Sequence, residues 1–90
     1  MVRTLMKPRP EVRRFARVME RKLRKNDHKR HWSKCDEEYL LRSLRNEMEE
    51  LFDACEGGES DRAVESECAD VANFAMMIAD NRRSGRRRVV

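Results

Sequence analysis

The chain has 90 residues and a formal net charge of +4, and this length allows one domain whose core is marginal unless chains associate. The basic and acidic residues are separated along the chain. Residues 1–34 contain 13 Lys and Arg and 3 acidic residues, residues 35–80 contain 3 Lys and Arg and 14 acidic residues, and residues 81–90 contain 5 Arg and no acidic residue. No apolar run approaches the roughly 20 residues of a membrane span, and the first residues, MVRTLMKPRP, lack the apolar segment of a signal peptide, so we expect a cytoplasmic protein with no membrane partner.

The first predicted element is a helix from about Pro10 to Lys25, preceded by an N-terminal extension of residues 1–9. Proline is favoured in the first turn of a helix. Apolar residues recur along one side of this segment, and the other sides are almost wholly basic. The apolar positions are Val12, Phe15, Met19 and Leu23. With 42% charged residues and no alternating apolar stretch, the whole chain is predicted to be all-α.

Residues 26–34, NDHKRHWSK, are predicted to form a loop because they lack apolar periodicity. This loop carries both histidines and the only tryptophan of the chain. Binding residues often lie on loops, so the segment is a candidate part of a functional site.

A second helix is predicted from about Asp36 to Glu56. Ser33, with Asp36 three residues later, fits a capping box at its start, and the pair Gly57-Gly58 ends it. An apolar stripe with 3-4-3-4 spacing runs along this helix and predicts core packing. The stripe consists of Leu41, Leu44, Met48, Leu51 and Cys55.

A third helix, which Ser60 can cap, is predicted to continue to about Arg82, so that the helical domain spans residues 10–82. Residues 83–90 form an Arg-rich tail that is predicted to be solvated and mobile. A single chain of three helices cannot bury both the apolar stripe of the second helix and a second apolar helix face. We therefore expect a three-helix bundle completed by homo-oligomerisation, as a homodimer or a homotetramer.

The cysteines are odd in number and show no CxxC spacing, which argues against a disulfide framework and against a zinc knuckle. We expect reduced thiols, with Cys55 and Cys68 serving as small core residues.

Two acid pairs stand out on the second and third helices. Glu67 and Asp70 lie on or beside the apolar side of the third helix, and Glu47 and Glu50 take the same i, i+3 spacing on the second. A short Gly-containing turn joins the two helices, which should pack antiparallel and bring the pairs together. Converging carboxylates repel one another unless cations bind, and oxygen ligands suit Mg²⁺ or Mn²⁺. The alternative interpretation stays open, since such pairs also arise by chance in acidic helices.

The sequences NEMEEL at 46–51 and ECAD at 67–70 resemble the EExxE…ExxD signature of the MazG-like all-α nucleoside triphosphate pyrophosphohydrolases. NDHKRHW and DVANFAMMIAD resemble one small branch of that family, and the resemblance covers about residues 15–82. It implies hydrolysis of a nucleoside triphosphate, preferably a deoxynucleotide, between the α and β phosphates. The products would be the monophosphate and pyrophosphate. The first acid of the signature is replaced by Asn46, which leaves any role of that acid in doubt.

The resemblance also implies roles for the four carboxylates. Metal ligation falls to Glu47, Glu50, Glu67 and Asp70, with Mg²⁺ or Mn²⁺ as cofactor and two or more ions per site. Glu47 and Glu50 are the catalytic candidates, because either can orient or deprotonate the attacking water. The residues do not decide between these two.

Three lysines and one amide are candidate substrate ligands. Asn73 lies on the same side of the helix as Asp70, where its amide can donate to phosphate or ribose or form an interhelical hydrogen bond. Lys29, with Lys22 or Lys25, can neutralise phosphate charge, although a solvated surface role is open for each lysine.

The loop offers three further candidates. Trp32 is either a platform on which a base stacks or a lid over the core. Asn26 and His28 either contact the edge of the base or shape the turn.

A hypothesis from a different class is a non-enzymatic helical module. In this interpretation the basic first helix and the tail bind nucleic acid or an acidic partner, and the acid pairs only balance the basic segments.

Overall fold

The computed structural model describes residues 6–86, which contain three α-helices, one short 3₁₀ helix and no strand. Helix α1 spans Pro10–Lys25, the 3₁₀ helix spans Trp32–Lys34, α2 spans Glu37–Glu56 and α3 spans Asp61–Arg83. The all-α prediction is confirmed, and the predicted helix limits agree with these bounds to within about a residue. Within the described range no helix has the length and apolarity needed to cross a bilayer.

The starts of α2 and α3 are set by side-chain caps. The Asp36 carboxylate accepts a hydrogen bond from the backbone N–H of Tyr39 at 2.8 Å, and Ser60 Oγ accepts one from Ala63 at 3.1 Å. The cap predicted for α2 is therefore wrong by three residues, because Ser33 lies inside the 3₁₀ helix. Gly58 follows the end of α2 with φ of +68°, a left-handed conformation that glycine adopts without steric cost.

Helix α3 is the centre of the bundle. Both α1 and α2 pack against it, whereas α1 and α2 have no Cα atoms within 8 Å of each other. The buried apolar core is small and consists of Val18, Leu40, Ala54 and Ala69. Asn73 and Asn81 of α3 are also buried.

The predicted core stripe of α2 is only partly buried in the single chain. Leu41 and Met48 are 49% and 42% exposed, and Cys55 is exposed as well. The core contact is made instead by the neighbouring helix face, which carries Leu40 and Ala54. Because α3 covers only one side of α2, the adjacent apolar side faces outward. The expectation that Cys55 is a core residue is wrong for the single chain.

The two ends of the chain differ in how far they are described. Residues 1–5 of the predicted extension and residues 87–90 of the predicted tail lie outside the described range. The described part of the tail is not freely solvated, because Arg86 forms an ion pair with Asp80 at 2.7 Å. Arg83 still belongs to α3.

Candidate active site

Three of the four predicted metal ligands converge between α2 and α3. Glu47, Glu50 and Glu67 each place one carboxylate oxygen within 4.8 Å of the others. The i, i+3 spacing puts the first two on one side of α2, and the short turn through Gly57 and Gly58 folds α3 back beside them. Glu50 is exposed, so solvent reaches the cluster from one side. We refer to these residues as the acid cluster.

The ionised form of the acid cluster is unfavourable, because its carboxylates are partly buried and lie close together. Burial, followed by contact with Glu50 and the charges of Asp70, Glu50 and Glu67, raises the pKa of Glu47 from its ordinary 4.5 to about 7. Burial, followed by the charge of Glu50, raises the pKa of Glu67 as well. One buried oxygen of Glu47 and one of Glu67 have no hydrogen-bond partner among the described residues. Buried polar atoms are normally satisfied, so these oxygens fit the ligand set of a hard divalent cation.

The fourth predicted ligand, Asp70, lies beside the acid cluster and is paired with a lysine. Lys22 Nζ lies 3.2 Å from Asp70 Oδ2 and donates a hydrogen bond to Ser66 Oγ at 2.8 Å. The predicted phosphate ligand Lys22 therefore contacts an acid of α3 in this structure, and its charge partly offsets the effect of the other acids on Glu67.

A cleft of about 710 Å³ opens between α1, the loop and the first half of α2, with α3 as its floor. Glu47 and Asp70 line it, which connects the acid cluster to the cleft. The aromatic rings of Trp32, Tyr39 and Phe74 also line it. The wall carries five cationic side chains, which suits a polyanionic ligand. These are Lys22, Lys29, Arg30, Lys34 and Arg42.

The loop that carries Trp32 is fastened to the end of α3. The indole Nε1 donates to Asp80 Oδ2 at 2.9 Å, and the backbone carbonyl of Trp32 accepts from Asn81 Nδ2 at 3.1 Å. Arg86 donates to the same Asp80 oxygen at 2.7 Å. The indole stacks on His31, with ring centroids 4.0 Å apart. The ring is half-buried and lines the cleft, and these contacts fix its position.

Asn73 joins α3 to α1 and also lines the cleft. The side chain is 4% exposed, and its Nδ2 donates to the backbone carbonyl of Met19 at 3.1 Å. Its Oδ1 is buried with no partner among residues 6–86. The interhelical hydrogen bond therefore exists, and it uses one of the two N–H donors of the amide.

The remaining predicted substrate residues are divided between the cleft and the outer surface. Asn26 and Lys29 line the cleft, although Asn26 Nδ2 also donates to the carbonyl of Lys22 at 3.1 Å and so caps the end of α1. Lys25 and His28 are exposed and lie outside the cleft lining. The structure does not bring these last two to the site.

Several residues of the site escaped the sequence analysis. Arg42 is one of three cations in the acidic second segment, and nothing in the sequence sets it apart from Arg45 and Arg62. Asp80 and Asn81 gave no signal, since their contacts with Trp32 join residues almost 50 positions apart. Comparisons of the chain with protein-family models, curated protein sequences and solved structures find no significant match.

Proposed function

We propose that this protein is a metal-dependent hydrolase that cleaves nucleoside triphosphates, preferably deoxynucleotides, between the α and β phosphates. The observation that carries the proposal is the convergence of Glu47, Glu50 and Glu67, two of which have a buried oxygen without a partner. The cluster opens on a cation-lined cleft with aromatic walls. The sequence resemblance to the MazG-like pyrophosphohydrolases supports the same reaction.

The acid cluster, with Asp70 beside it, would hold Mg²⁺ or Mn²⁺, two or more ions per site. Bound ions would supply positive charge against the phosphates and acidify a water molecule. All four side chains offer oxygen, the donor that these cations prefer.

The chain's own residues account for the rest of the reaction. The oxygen of water bonds to phosphorus and the bridging P–O bond between the α and β phosphates breaks, so pyrophosphate leaves and the monophosphate remains. Glu47 or Glu50 orients this water or takes its proton.

Substrate positioning falls to the cleft walls. Lys29 contributes charge against the phosphates, and Lys22 joins it when the ligand displaces its contact with Asp70. Trp32 is held as a platform on which a base can stack, and Asn26 lines the same cleft. Asn73 lines the cleft, and the second N–H of its amide can take the donor role first expected.

The proposal includes a cytoplasmic location and a homodimer or homotetramer. The exposed apolar side of α2 supports association, because Leu41, Met48 and Phe52 are all more than 40% exposed. A small domain gains the apolar burial it lacks when such a side is covered.

The test is incubation of the purified protein with each common dNTP and NTP plus Mg²⁺ or Mn²⁺, with separation of monophosphate, diphosphate, pyrophosphate and phosphate. We expect monophosphate and pyrophosphate, and a loss on the order of 100-fold in Glu50→Gln and Glu67→Gln. Glu49→Gln on α2 and Glu65→Gln on α3 are matched controls, since both acids are exposed and outside the acid cluster. No turnover of any nucleotide would contradict the proposal.

The second candidate function is binding of a polyanion by α1. Its exposed arginines include Arg14, Arg17 and Arg21, which fall on one side of the helix. This candidate function predicts nucleic-acid binding whose affinity falls steeply with salt concentration. The substitution Glu67→Gln should leave that affinity unchanged. An acidic protein partner would show the same indifference to Glu67→Gln without nucleic-acid binding.

A further inference from the structure

Helix α2 presents an apolar strip to solvent. Leu41, Met48 and Phe52 are 49%, 42% and 62% exposed, and Cys55 is exposed at the end of the same strip. Leu44 lies between them and is half-buried. We call these five residues the α2 strip. Monomeric proteins rarely expose a contiguous row of large apolar side chains, and such rows mark interaction surfaces.

The α2 strip is symmetric about Met48. Leu41 and Cys55 lie seven residues before and after it, and Leu44 and Phe52 lie four residues before and after it. A two-fold interface uses the same patch on both copies, so the patch must be complementary to itself. Two α2 helices that run antiparallel, with Met48 at the axis, would place each strip position of one copy against a strip position of the other.

The charges beside the α2 strip favour the antiparallel orientation. The first half of α2 carries Arg42 and Arg45, whereas the second half carries Glu49 and Glu56 on the same flank. In an antiparallel pair Arg45 of one copy approaches Glu49 of the other, and Arg42 approaches Glu56. A parallel pair would instead place this flank of the two copies on opposite sides of the interface, so the arginines of one copy would not meet the glutamates of the other.

We propose that two copies of this chain associate through the α2 strip in antiparallel orientation, with Met48 at the two-fold axis. No residue of the strip lines the cleft, which opens on another side of α2, where Tyr39 and Glu47 lie. Arg42 belongs both to the flank of the strip and to the cleft wall, so the proposed interface borders the cleft without covering Tyr39 or Glu47. The inference specifies the oligomerisation proposed above and does not depend on nucleotide hydrolysis, so the two can fail separately.

The first test measures mass in solution by light scattering and sedimentation equilibrium. We expect the wild-type chain at twice its 10.8 kDa mass, or at four times if dimers pair. Met48→Glu places two carboxylates at the axis and should weaken association by about 100-fold or more. Met6→Glu is the control, because Met6 is 91% exposed and outside the strip. A monomeric wild type, or equal masses for the wild type and Met48→Glu, would overturn the proposal.

The second test determines orientation with a disulfide. In a Cys35→Ser, Cys68→Ala background, Leu41→Cys should form an intermolecular bond with the native Cys55 under mild oxidation, and Cys55→Ser should abolish it. Antiparallel copies hold their own Cys55 residues about 21 Å apart along the helix axis. Rapid oxidation of the background protein to a Cys55–Cys55 dimer would show parallel pairing and overturn the inference.

A third test addresses the charges without touching the apolar residues. Arg45→Glu should weaken association by about tenfold, and adding Glu49→Arg should restore it. Both residues are exposed, so circular dichroism should show unchanged helix content in both variants. A monomeric wild type that binds zwitterionic lipid vesicles, with the binding lost in Met48→Glu, would assign the strip to a lipid surface and contradict the dimer.

Discussion

The indole of Trp32 donates its N–H to Asp80 across 2.9 Å, joining the loop before α2 to the last turns of α3. The same carboxylate oxygen accepts a second hydrogen bond from Arg86 at 2.7 Å. A charged acceptor strengthens both hydrogen bonds. The position of the aromatic cleft wall therefore depends on residues at the other end of the chain.

Loss of this anchor should free the indole. Arg86→Ala leaves Asp80 with one donor fewer, and Asp80→Asn weakens the acceptor, so acrylamide should quench Trp32 fluorescence more strongly in both variants. Trp32 is the only tryptophan, which makes the signal specific. Arg83→Ala is the control, because Arg83 is an exposed residue of the same helix end. Quenching equal to that of the wild type in both variants would contradict the anchor.

Divalent cations should stabilise the protein. A ligand that binds only the folded state raises stability by about 2.7 kcal/mol at a concentration of 100 Kd, so the Tm should rise with Mg²⁺ or Mn²⁺ and return to its starting value with a chelator. Glu67→Gln should abolish the rise, whereas the exposed Glu65→Gln should retain it. An equal rise in Glu67→Gln would place the cation elsewhere.

Acid should stabilise the metal-free protein through Glu47. Its pKa is about 7 in the folded chain against an ordinary 4.5, so the folded state binds more protons than the unfolded state between these values. The free energy of unfolding should therefore fall as pH rises from about 4.5 to about 7.

Denaturant titrations in a chelator, from pH 5 to pH 8, measure this slope. Glu47→Gln removes one ionising group and should reduce the slope, leaving the variant more stable than the wild type at pH 8, while Glu67, whose pKa is also raised, keeps part of the slope. The matched variant Glu49→Gln should keep the wild-type slope. If the free energy of unfolding depends on pH equally in the wild type and in Glu47→Gln, ionisation of Glu47 does not destabilise the folded state.

Two adjacent leucines should differ in their contribution to folding. Leu40 is 1% exposed and Leu41 is 49% exposed, so Leu40→Ala should cost about 3 kcal/mol and Leu41→Ala much less. Urea denaturation of dilute protein measures both, because dilution removes any contribution from association. Equal costs would mean that α2 packs on α3 with a different rotation.

The sequence predicted the helices well because local signals determine them. Apolar spacing, Pro10, Ser60 and the glycine pair at 57–58 act over a few residues, and the structure has helices where these signals occur. The rotation of α2 was harder to predict. Leu40 and Leu41 are equally apolar, so the choice of the buried one depends on where α3 lies.

In the candidate site, too, the features set by local spacing were predicted and those set by the packing of the helices were not. The i, i+3 acids of α2 and one acid of α3 converge, as helix geometry and a short turn predicted. The pairing of Asp70 with Lys22 was not predicted, and the interhelical hydrogen bond of Asn73 was one of two alternatives left open, because both depend on how α1 lies against α3. Local spacing carries no information about that packing.

Helix α1 packs against α3, and no Cα atom of α1 lies within 8 Å of α2, so α1 can separate from the other two helices as a unit. The α2–α3 hairpin holds the acid cluster on its own, while α1 supplies Lys22 and one cleft wall. Helix α1 should thus open as a separate cooperative unit, with faster amide exchange than the hairpin. A ligand that touches Lys22 and Glu47 together would join the two units, so its binding would slow exchange along the whole of α1.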